Sequence, residues 1–413
     1  MRINRVKKNF VFFFLIHSFT SFSFENTNVL PQGIRSVKIQ QMSTTIRSKY
    51  LSSGEKVGLG YDLEKDVLLS LVAKQKGDGV NAQMTEAFFT AEKGVGLKLD
   101  DKIGNFRADL AASVRVTIPY LSYGLTENLT LAFVMPIYQA NSGVKVGFEA
   151  TKKGNDFVAA LTHENNNKLE AARELSSKLS HSGFNSKLTE RGYSPLENWN
   201  KVGFGDIIFA AKYKFYNQKF LKASSSLGLI LPTGTPKDPD VLNSVPFGEG
   251  AVGLFANITS DQPMSEWFFL NEYVKGTFNF PSMRTVRLKT EEEPLPLAKE
   301  RVDFQLGHKI EAGLSAQIIS DFGLTGGIGY VFEKKFSDTY NLKKELESKR
   351  TLEKDTDSIT NHVEATIGYS SLNAYKKKQV PLPLMASVGY KKQFMSRNAL
   401  EKDLFSFDLT LFF

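Results

Sequence analysis

Apolar side chains recur at every second position in many separate stretches of the chain. Such alternation runs through 112–120, 129–137, 207–215, 227–231, 252–258, 302–318, 328–332, 363–369 and 384–390. Side chains alternate between two faces along a β-strand, so each stretch predicts a strand with one apolar and one polar face. The repetition predicts an all-β protein.

The last nine residues continue this pattern to the end of the chain. Phe405, Phe407, Leu409, Leu411 and Phe413 form an apolar face opposite a mostly polar one. An exposed edge strand invites aggregation, whereas a strand that closes a barrel in lipid leaves no free edge. This ending resembles the signature by which the barrel-assembly machinery recognises Gram-negative outer-membrane barrels, and its five apolar residues are the predicted sorting signal. The alternative is a buried edge strand of a soluble β-domain.

The connections between the predicted strands alternate between long and short. Long ones occupy 51–105, 151–201, 232–248, 281–299 and 334–358, with a shorter outer turn at 395–402; those between them lie at 123–128, 216–219, 260–265, 320–323 and 373–383. Outer-membrane barrels have long outer loops and short periplasmic turns. The chain therefore predicts a single transmembrane antiparallel β-barrel of about 12 strands, with 14 as the alternative.

The other end of the chain predicts export. Arg2, Arg5, Lys7 and Lys8 precede the apolar run 10–16 and several small polar residues, which is typical of a cleaved secretory signal peptide. The predicted organisation is a signal peptide at 1–24 and a barrel at 25–413. The predicted location is the Gram-negative outer membrane, with its lipid as a partner.

Composition bounds the chemistry. There is no Cys, the five His show no ligand spacing, and there is no Gly-x-Ser-x-Gly motif, so we predict no cofactor, no metal, no catalytic residue and no enzymatic activity. Four of the cations behind the net charge of +8 lie in the first eight residues, and no recognition motif predicts nucleic-acid binding. The 33 Phe and 14 Tyr suit the aromatic girdles of a membrane barrel.

Two outer segments read as amphipathic helices. Asp62 is placed to cap a helix whose apolar stripe is Leu63, Val67, Leu68, Leu71 and Val72. A second helix is predicted at 168–180, inside the loop insert 151–201, with a stripe of Leu169, Ala172, Leu175 and Leu179. At least one of them is expected to form a lid or plug over the lumen; the alternative is a flexible surface helix.

The polar faces of the predicted strands supply the candidate lumen lining. With 303–318 read as one strand, the charged candidates are Arg115, Lys212, Lys214, Asp303, Lys309, Glu311 and Glu364. Ser113, Thr117, Gln305 and Gln317 share these faces. Charges on the inner wall of a barrel either pair across it or select solutes.

Three internal stretches resemble a known family. They are YGLTENLTLAFVMPI (123–137), GFGDIIFAAKYKF (203–215) and GLILPTGTPKD (228–238). They are similar to outer-membrane proteins of the phenol-degradation meta-pathway group, which is classed with the long-chain fatty-acid transporter barrels. The resemblance implies an outer-membrane channel for small, often hydrophobic, molecules. The Asn-Pro-Ala stretch of the fatty-acid transporter hatch is not found near residue 25.

Two functions follow from different classes. The first is a channel or transporter for small solutes, apolar ones included. The second is a structural or surface-interaction barrel with a filled lumen and no transport role. A twelve-strand lumen lies between filled eight-strand barrels and open porins, so strand number alone does not choose between them.

Overall fold

A computed structural model describes residues 25–68, 100–162, 180–290, 293, 295–342 and 346–413. The predicted signal peptide, the second predicted helix (168–180) and His163 lie outside these residues, apart from Ser180. None of the helices in the described ranges is long and apolar enough to cross a membrane.

Twelve antiparallel strands form a closed barrel, as predicted. They are β1 (Arg35–Ile46), β2 (Lys102–Thr126), β3 (Leu129–Val134 and Ile137–Ala150), β4 (Trp199–Phe204 and Ile207–Asn217), β5 (Lys222–Leu231), β6 (Gly253–Pro263), β7 (Phe268–Asn279), β8 (Lys309–Ile319), β9 (Leu324–Lys335), β10 (Ser358–Ser370), β11 (Leu384–Arg397) and β12 (Leu404–Phe412). Each strand pairs with its neighbours in sequence. The barrel closes because β1 pairs with both β2 and β12.

The outward face of this barrel is apolar. On β8, Ile310, Leu314 and Ile318 are 43%, 56% and 46% exposed, whereas the inward Lys309, Glu311 and Ser315 are buried. This arrangement reverses that of a soluble protein and suits a wall that faces hydrocarbon. Aromatic side chains frame the belt, with Tyr213, Phe215, Trp267, Phe322 and Tyr369 at the short-turn end and Phe278, Tyr330, Tyr390 and Phe405 towards the loop end.

The outer connections carry their own small elements. They include strands Ser48–Tyr50, Lys56–Gly58, Lys65–Leu68, Ser282–Arg287, Lys299–Gln305, Thr339–Asn341 and Ala399–Leu400, the 3-10 helix Tyr61–Leu63, and helices α1 (Lys152–Thr162), α2 (His181–Glu190) and α3 (Leu346–Glu353). One inner connection contains α4 (Leu372–Lys376). The three strands at 282–287, 299–305 and 339–341 form a separate outer sheet.

Two predicted elements are wrong. The helix expected from Asp62 is a single 3-10 turn, and a strand follows at Lys65–Leu68, paired with the outer end of β2; Leu71 and Val72 lie outside the described residues. The strand predicted through 302–318 is two strands, which belong to different sheets and are separated by Leu306, Gly307 and His308. A Cβ at Gly307 would lie 1.7 Å from the carbonyl oxygen of Phe336, so the chain turns here against a neighbouring backbone.

Because the outward face of the barrel is apolar, a charged side chain introduced there should destabilise the barrel more than one introduced on the inward face. We expect Leu314→Arg, at the middle of the belt, to destabilise the barrel by about 2–4 kcal/mol, because the guanidinium would face hydrocarbon. Gln317→Arg points inward and is expected to cost less. Urea unfolding of the lipid-inserted barrel measures both variants, and equal losses would contradict the assignment of faces.

Candidate functional site

The lumen contains a cavity of about 910 Å³. Its wall is largely apolar, and the aliphatic part includes Ile34, Ile118, Val134, Ile208 and Ile230. Lysines from five elements also reach it, and two of them lie near aromatic rings. The Nζ of Lys38 is 5.1 Å from the ring centre of Tyr120, and the Nζ of Lys275 is 5.0 Å from that of Phe255. Glu25, Glu311 and Glu333 line the cavity as well, so it combines an apolar wall with charged groups of both signs.

Residues 25–33, which we call the plug segment, run into the lumen before β1 begins. Thr27 is fully buried, and both its backbone N–H and its hydroxyl donate to Oδ2 of Asp261 on β6, at 2.9 and 2.5 Å. The N–H of Leu30 donates to Oγ1 of Thr130 at 2.7 Å. Lys212 of β4 donates to the carbonyl oxygen of Asn26. The plug segment is thus hydrogen-bonded to β3, β4 and β6.

A glycine on β2 lets the plug segment pass. The N–H of Gly33 donates to the carbonyl oxygen of Gly124 at 2.8 Å, and the N–H of Gly124 donates to the carbonyl oxygen of Ile34 at 2.9 Å. A Cβ built at Gly124 would lie 2.0 Å from the carbonyl oxygen of Pro31 and 2.7 Å from that of Leu30. No other residue fits there without displacing the segment.

The outer end of the lumen is covered by two loops, which we call the cap. Leu188, Tyr193 and Leu196 come from the loop before β4, and Leu242, Val245 and Phe247 from the loop between β5 and β6. They pack on the inward apolar faces of β2 and β3, among them Ala112, Val114 and Ala140. Burial of this apolar surface holds the cap on the barrel.

Two of the sequence motifs meet beneath this cap. The carboxylate of Asp206, from GFGD, accepts the N–H groups of Gly234 and Glu249, each at 2.9 Å. Thr233, from LPTG, donates its hydroxyl to the carbonyl of Gly205 at 2.9 Å and accepts the N–H of Ile207 at 3.0 Å. The motifs therefore clamp the loop between β5 and β6 to the rim of β4.

Arg287 joins the cap to a third loop, the one between β7 and β8. Its side chain is 2% exposed and pairs with Asp240 at 2.6 Å. Its other partners are carbonyl oxygens of Arg191, Gly192, Pro239 and Pro296. The guanidinium also lies 3.6 Å from the ring centre of Tyr193. One cation thus links three loops.

Titration behaviour in the cap reflects these contacts. Burial raises the pKa of Tyr193 to about 12, although the cation of Arg287 acts in the opposite direction. Partial burial would raise the pKa of Asp240, but hydrogen bonds from Lys299 and Arg287 lower it below its usual value. The carboxylate of Asp240 is therefore ionised across the neutral range.

The structure brings three of the predicted lining residues to the cavity wall, namely Lys212, Lys309 and Glu311. The Nζ of Lys309 lies 3.6 Å from Oε1 of Glu249 in the cap. Oε1 of Glu311 accepts a hydrogen bond from the hydroxyl of Tyr273 at 2.8 Å. Lys214 and Glu364 also point inward, but outside this cavity, and Glu364 lies 4.0 Å from Lys391. Their influence on solutes stays a prediction.

Two predicted lining residues lie elsewhere. Arg115 is on the outer surface of β2, because the inward side chains of that strand are Val114 and Val116, both at most 2% exposed. Ser113 and Thr117 share its outward face. Asp303 is exposed on the outer sheet, between the buried Val302 and Phe304. In both cases the apolar face is buried under loops instead of facing lipid.

Sequence reasoning missed the plug segment and the cap. Residues 25–33 have no periodicity, and nothing local indicates that they enter a barrel. The reversal of faces on β2 did leave a signal: the apolar positions are even-numbered from Ala112 to Tyr120 but odd-numbered at Leu121, Tyr123 and Leu125. A change of phase within one strand marks the point where its apolar side passes from the interior to the lipid.

Comparison with known proteins supports the fold. No protein-family model matches the sequence, and no curated protein matches it. An outer-membrane channel of Pseudomonas putida F1 is similar over 94% of this chain and 98% of its own, with a TM-score of 0.52 and 12% identity. The monoaromatic hydrocarbon channel CymD and the Pseudomonas putida toluene transporter TodX each cover 93% of this chain and 89% of their own, with TM-scores of 0.34 and 0.29 and identities of 8% and 10%.

The protein is thus an outer-membrane-type β-barrel. The first of these likenesses confirms, at the level of fold, the resemblance found in the three sequence motifs.

Proposed function

We propose that this protein is an outer-membrane channel for small, mainly apolar solutes, exported by a signal peptide at 1–24. The observation that carries the proposal is the lumen cavity of about 910 Å³, which has the size of a small-ligand site and a largely apolar wall. The channels named above fit this proposal, since one of them is described as a hydrocarbon channel and another as a toluene transporter.

The closures at both ends favour a gated channel. The plug segment is held to the barrel wall by a few hydrogen bonds and by no disulfide, so its release costs little compared with unfolding a strand. The cap is a larger, apolar contact and the stronger of the two closures. Solutes would therefore pass when the plug segment moves and the cap opens.

A structural barrel with a filled lumen is the second candidate. It requires that neither closure opens under any condition. In that case the outer sheet at 282–305 and 339–341 would be the working surface, presented to partners outside the cell.

A pair of adjacent alanines on β4 tests the channel. Ala210 lines the cavity, whereas Ala211 lies on the opposite, outward face. We expect Ala210→Trp to reduce the uptake of a small apolar dye by cells or proteoliposomes severalfold, because the indole would fill part of the cavity. Ala211→Trp, which faces lipid, should leave uptake unchanged.

The same experiment separates the two candidates. If the native protein shows no uptake, and displacing the plug segment produces none, the channel is contradicted and the structural barrel is supported. Uptake that is unaffected by Ala210→Trp would show that the solute takes another route.

A further inference from the structure

A cluster of polar side chains interrupts the outer wall of the barrel, and we call it the polar notch. It consists of Ser43 and Thr45 on β1, Ser113 and Arg115 on β2, and Gln139 and Asn141 on β3, and all six point outward. They line a groove of about 450 Å³, whose border includes Asp403 and Phe405. The pairing of β1 with β2 and of β2 with β3 is unbroken here, so the notch is a surface feature and not a hole in the wall.

The register shows that the notch lies within the lipid-facing surface. Arg115 pairs with Ser43 on one side and with Gln139 on the other. The next residues in the same row are Phe405 and Val202, which are 61% and 62% exposed. Three polar side chains are thus flanked by large apolar ones at one level of the barrel.

The level itself is the outer edge of the membrane. The outward apolar face of β2 begins at Leu125, and Arg115 is ten residues further along the strand. At about 3.3 Å per residue and a tilt of about 40°, this separation is roughly 25 Å along the membrane normal, which matches the height of a barrel's apolar belt. Tyr390 and Phe405, whose ring centres are 4.7 Å apart, lie beside the notch as part of the outer aromatic girdle.

Among the described residues, Arg115 has no partner for its charge. Its guanidinium is exposed and makes no hydrogen bond or ion pair with any residue that the structure describes. By contrast, Arg107, eight residues away on the same face, pairs with Glu149 at 2.7 Å. A cation at the lipid interface is stabilised by an anion, and a forked guanidinium surrounded by hydroxyl and amide donors suits the oxygens of a phosphate group.

We propose that the polar notch binds the phosphate headgroup of an anionic membrane lipid. The phosphate accepts hydrogen bonds from Arg115, from the hydroxyls of Ser43, Thr45 or Ser113, and from the Gln139 amide. The acyl chains follow the apolar rows below the notch, where Ile39 and Leu121 point outward, and lie against Phe405 and Phe407. This site is independent of the lumen and of transport.

Native mass spectrometry of the purified full-length barrel in a zwitterionic detergent tests the site. The probes are phosphatidic acid, phosphatidylcholine with the same acyl chains, and inorganic phosphate. We expect one saturable phosphatidic-acid adduct, weakened roughly tenfold in Arg115→Gln, because a charge-assisted hydrogen bond is lost. Arg115→Lys, which keeps the charge without the fork, should bind with intermediate affinity, and Arg107→Gln should bind like the native protein.

Three results would overturn the proposal. They are equal phosphatidic-acid affinity in Arg115→Gln and the native protein, phosphatidylcholine binding as tight as that of phosphatidic acid, and displacement of the lipid by an equal concentration of inorganic phosphate. Heat-modifiable mobility on a gel shows whether each variant is folded. Should Arg115→Gln fail to fold, the phosphatidic-acid affinities of Arg115→Lys and Arg107→Gln are compared instead. Weaker binding in Arg115→Lys supports the proposal, and equal binding overturns it.

Discussion

Replacing Arg287 with alanine should release the outer cap and raise the conductance of the barrel. The side chain is almost fully buried and joins three loops through Asp240 and several carbonyl groups. Its removal leaves buried carbonyl oxygens of the loops without a donor, at a cost of about 1–3 kcal/mol for each such group, whereas Asp240 keeps its ion pair with Lys299 at 2.7 Å. This loss should loosen the contact between the loops. Limited proteolysis of the outer loops and single-channel current in planar bilayers measure the effect.

Two controls accompany this variant. Arg301→Ala removes a guanidinium from the exposed face of the strand that pairs with Ser282–Arg287, and it should change neither measurement. Arg287→Lys keeps the charge but has a single donor group, so the cap should be loosened partly. Unchanged protease resistance in Arg287→Ala would show that the apolar contacts of the cap suffice without the ion pair.

Gly124→Ala is expected to displace the plug segment. The new Cβ would lie 2.0 Å from the carbonyl oxygen of Pro31, a distance that neither backbone can accommodate without moving. Since the plug segment is held to the wall by a few single hydrogen bonds, whereas β2 is paired along its length with two neighbouring strands, the segment should move. We expect the single-channel current to rise severalfold and residues 25–33 to become accessible to protease.

A second glycine supplies the matched control for Gly124. Gly147 on β3 points outward, and a Cβ there meets nothing within 4 Å. Gly147→Ala should therefore leave the current unchanged. If Gly124→Ala also left it unchanged, while protease cut the displaced segment, the lumen would be closed by the cap alone.

The match between sequence and structure was best where a strand has one apolar face from end to end. On β8, β9 and β10 the alternation at 310–318, 328–332 and 363–369 placed its apolar side chains outward, as the structure has them, because lipid lies along this part of the outer wall. Lys309, Glu311 and Glu364 pointed inward as predicted for the same reason. The inward direction of Lys212 and Lys214 followed from the same periodicity on β4.

The prediction of strand faces from the sequence failed where the apolar side of a strand is buried under a loop and its polar side points outward. In the outer half of β2, the apolar side chains point inward and pack under the cap, while Arg115 faces outward at the outer edge of the membrane. The outer sheet repeats this reversal, with Phe304 buried and Asp303 exposed. A pattern of period two reports that a strand has two faces, but it does not report which face meets lipid, lumen or loop.

The alternation of apolar residues and of loop lengths by itself determined an antiparallel barrel of about twelve strands, because strand periodicity and membrane thickness are local constraints on the chain. The closure of the lumen was decided only in the tertiary structure. Thr27 and Asp261, Gly124 and Pro31, and Arg287 and Asp240 are far apart in sequence, and their contacts exist because the closed barrel brings its strands and loops around one lumen. No local sequence pattern predicts these contacts. Each of these residues is polar or small because of a partner that becomes its neighbour only in the folded barrel.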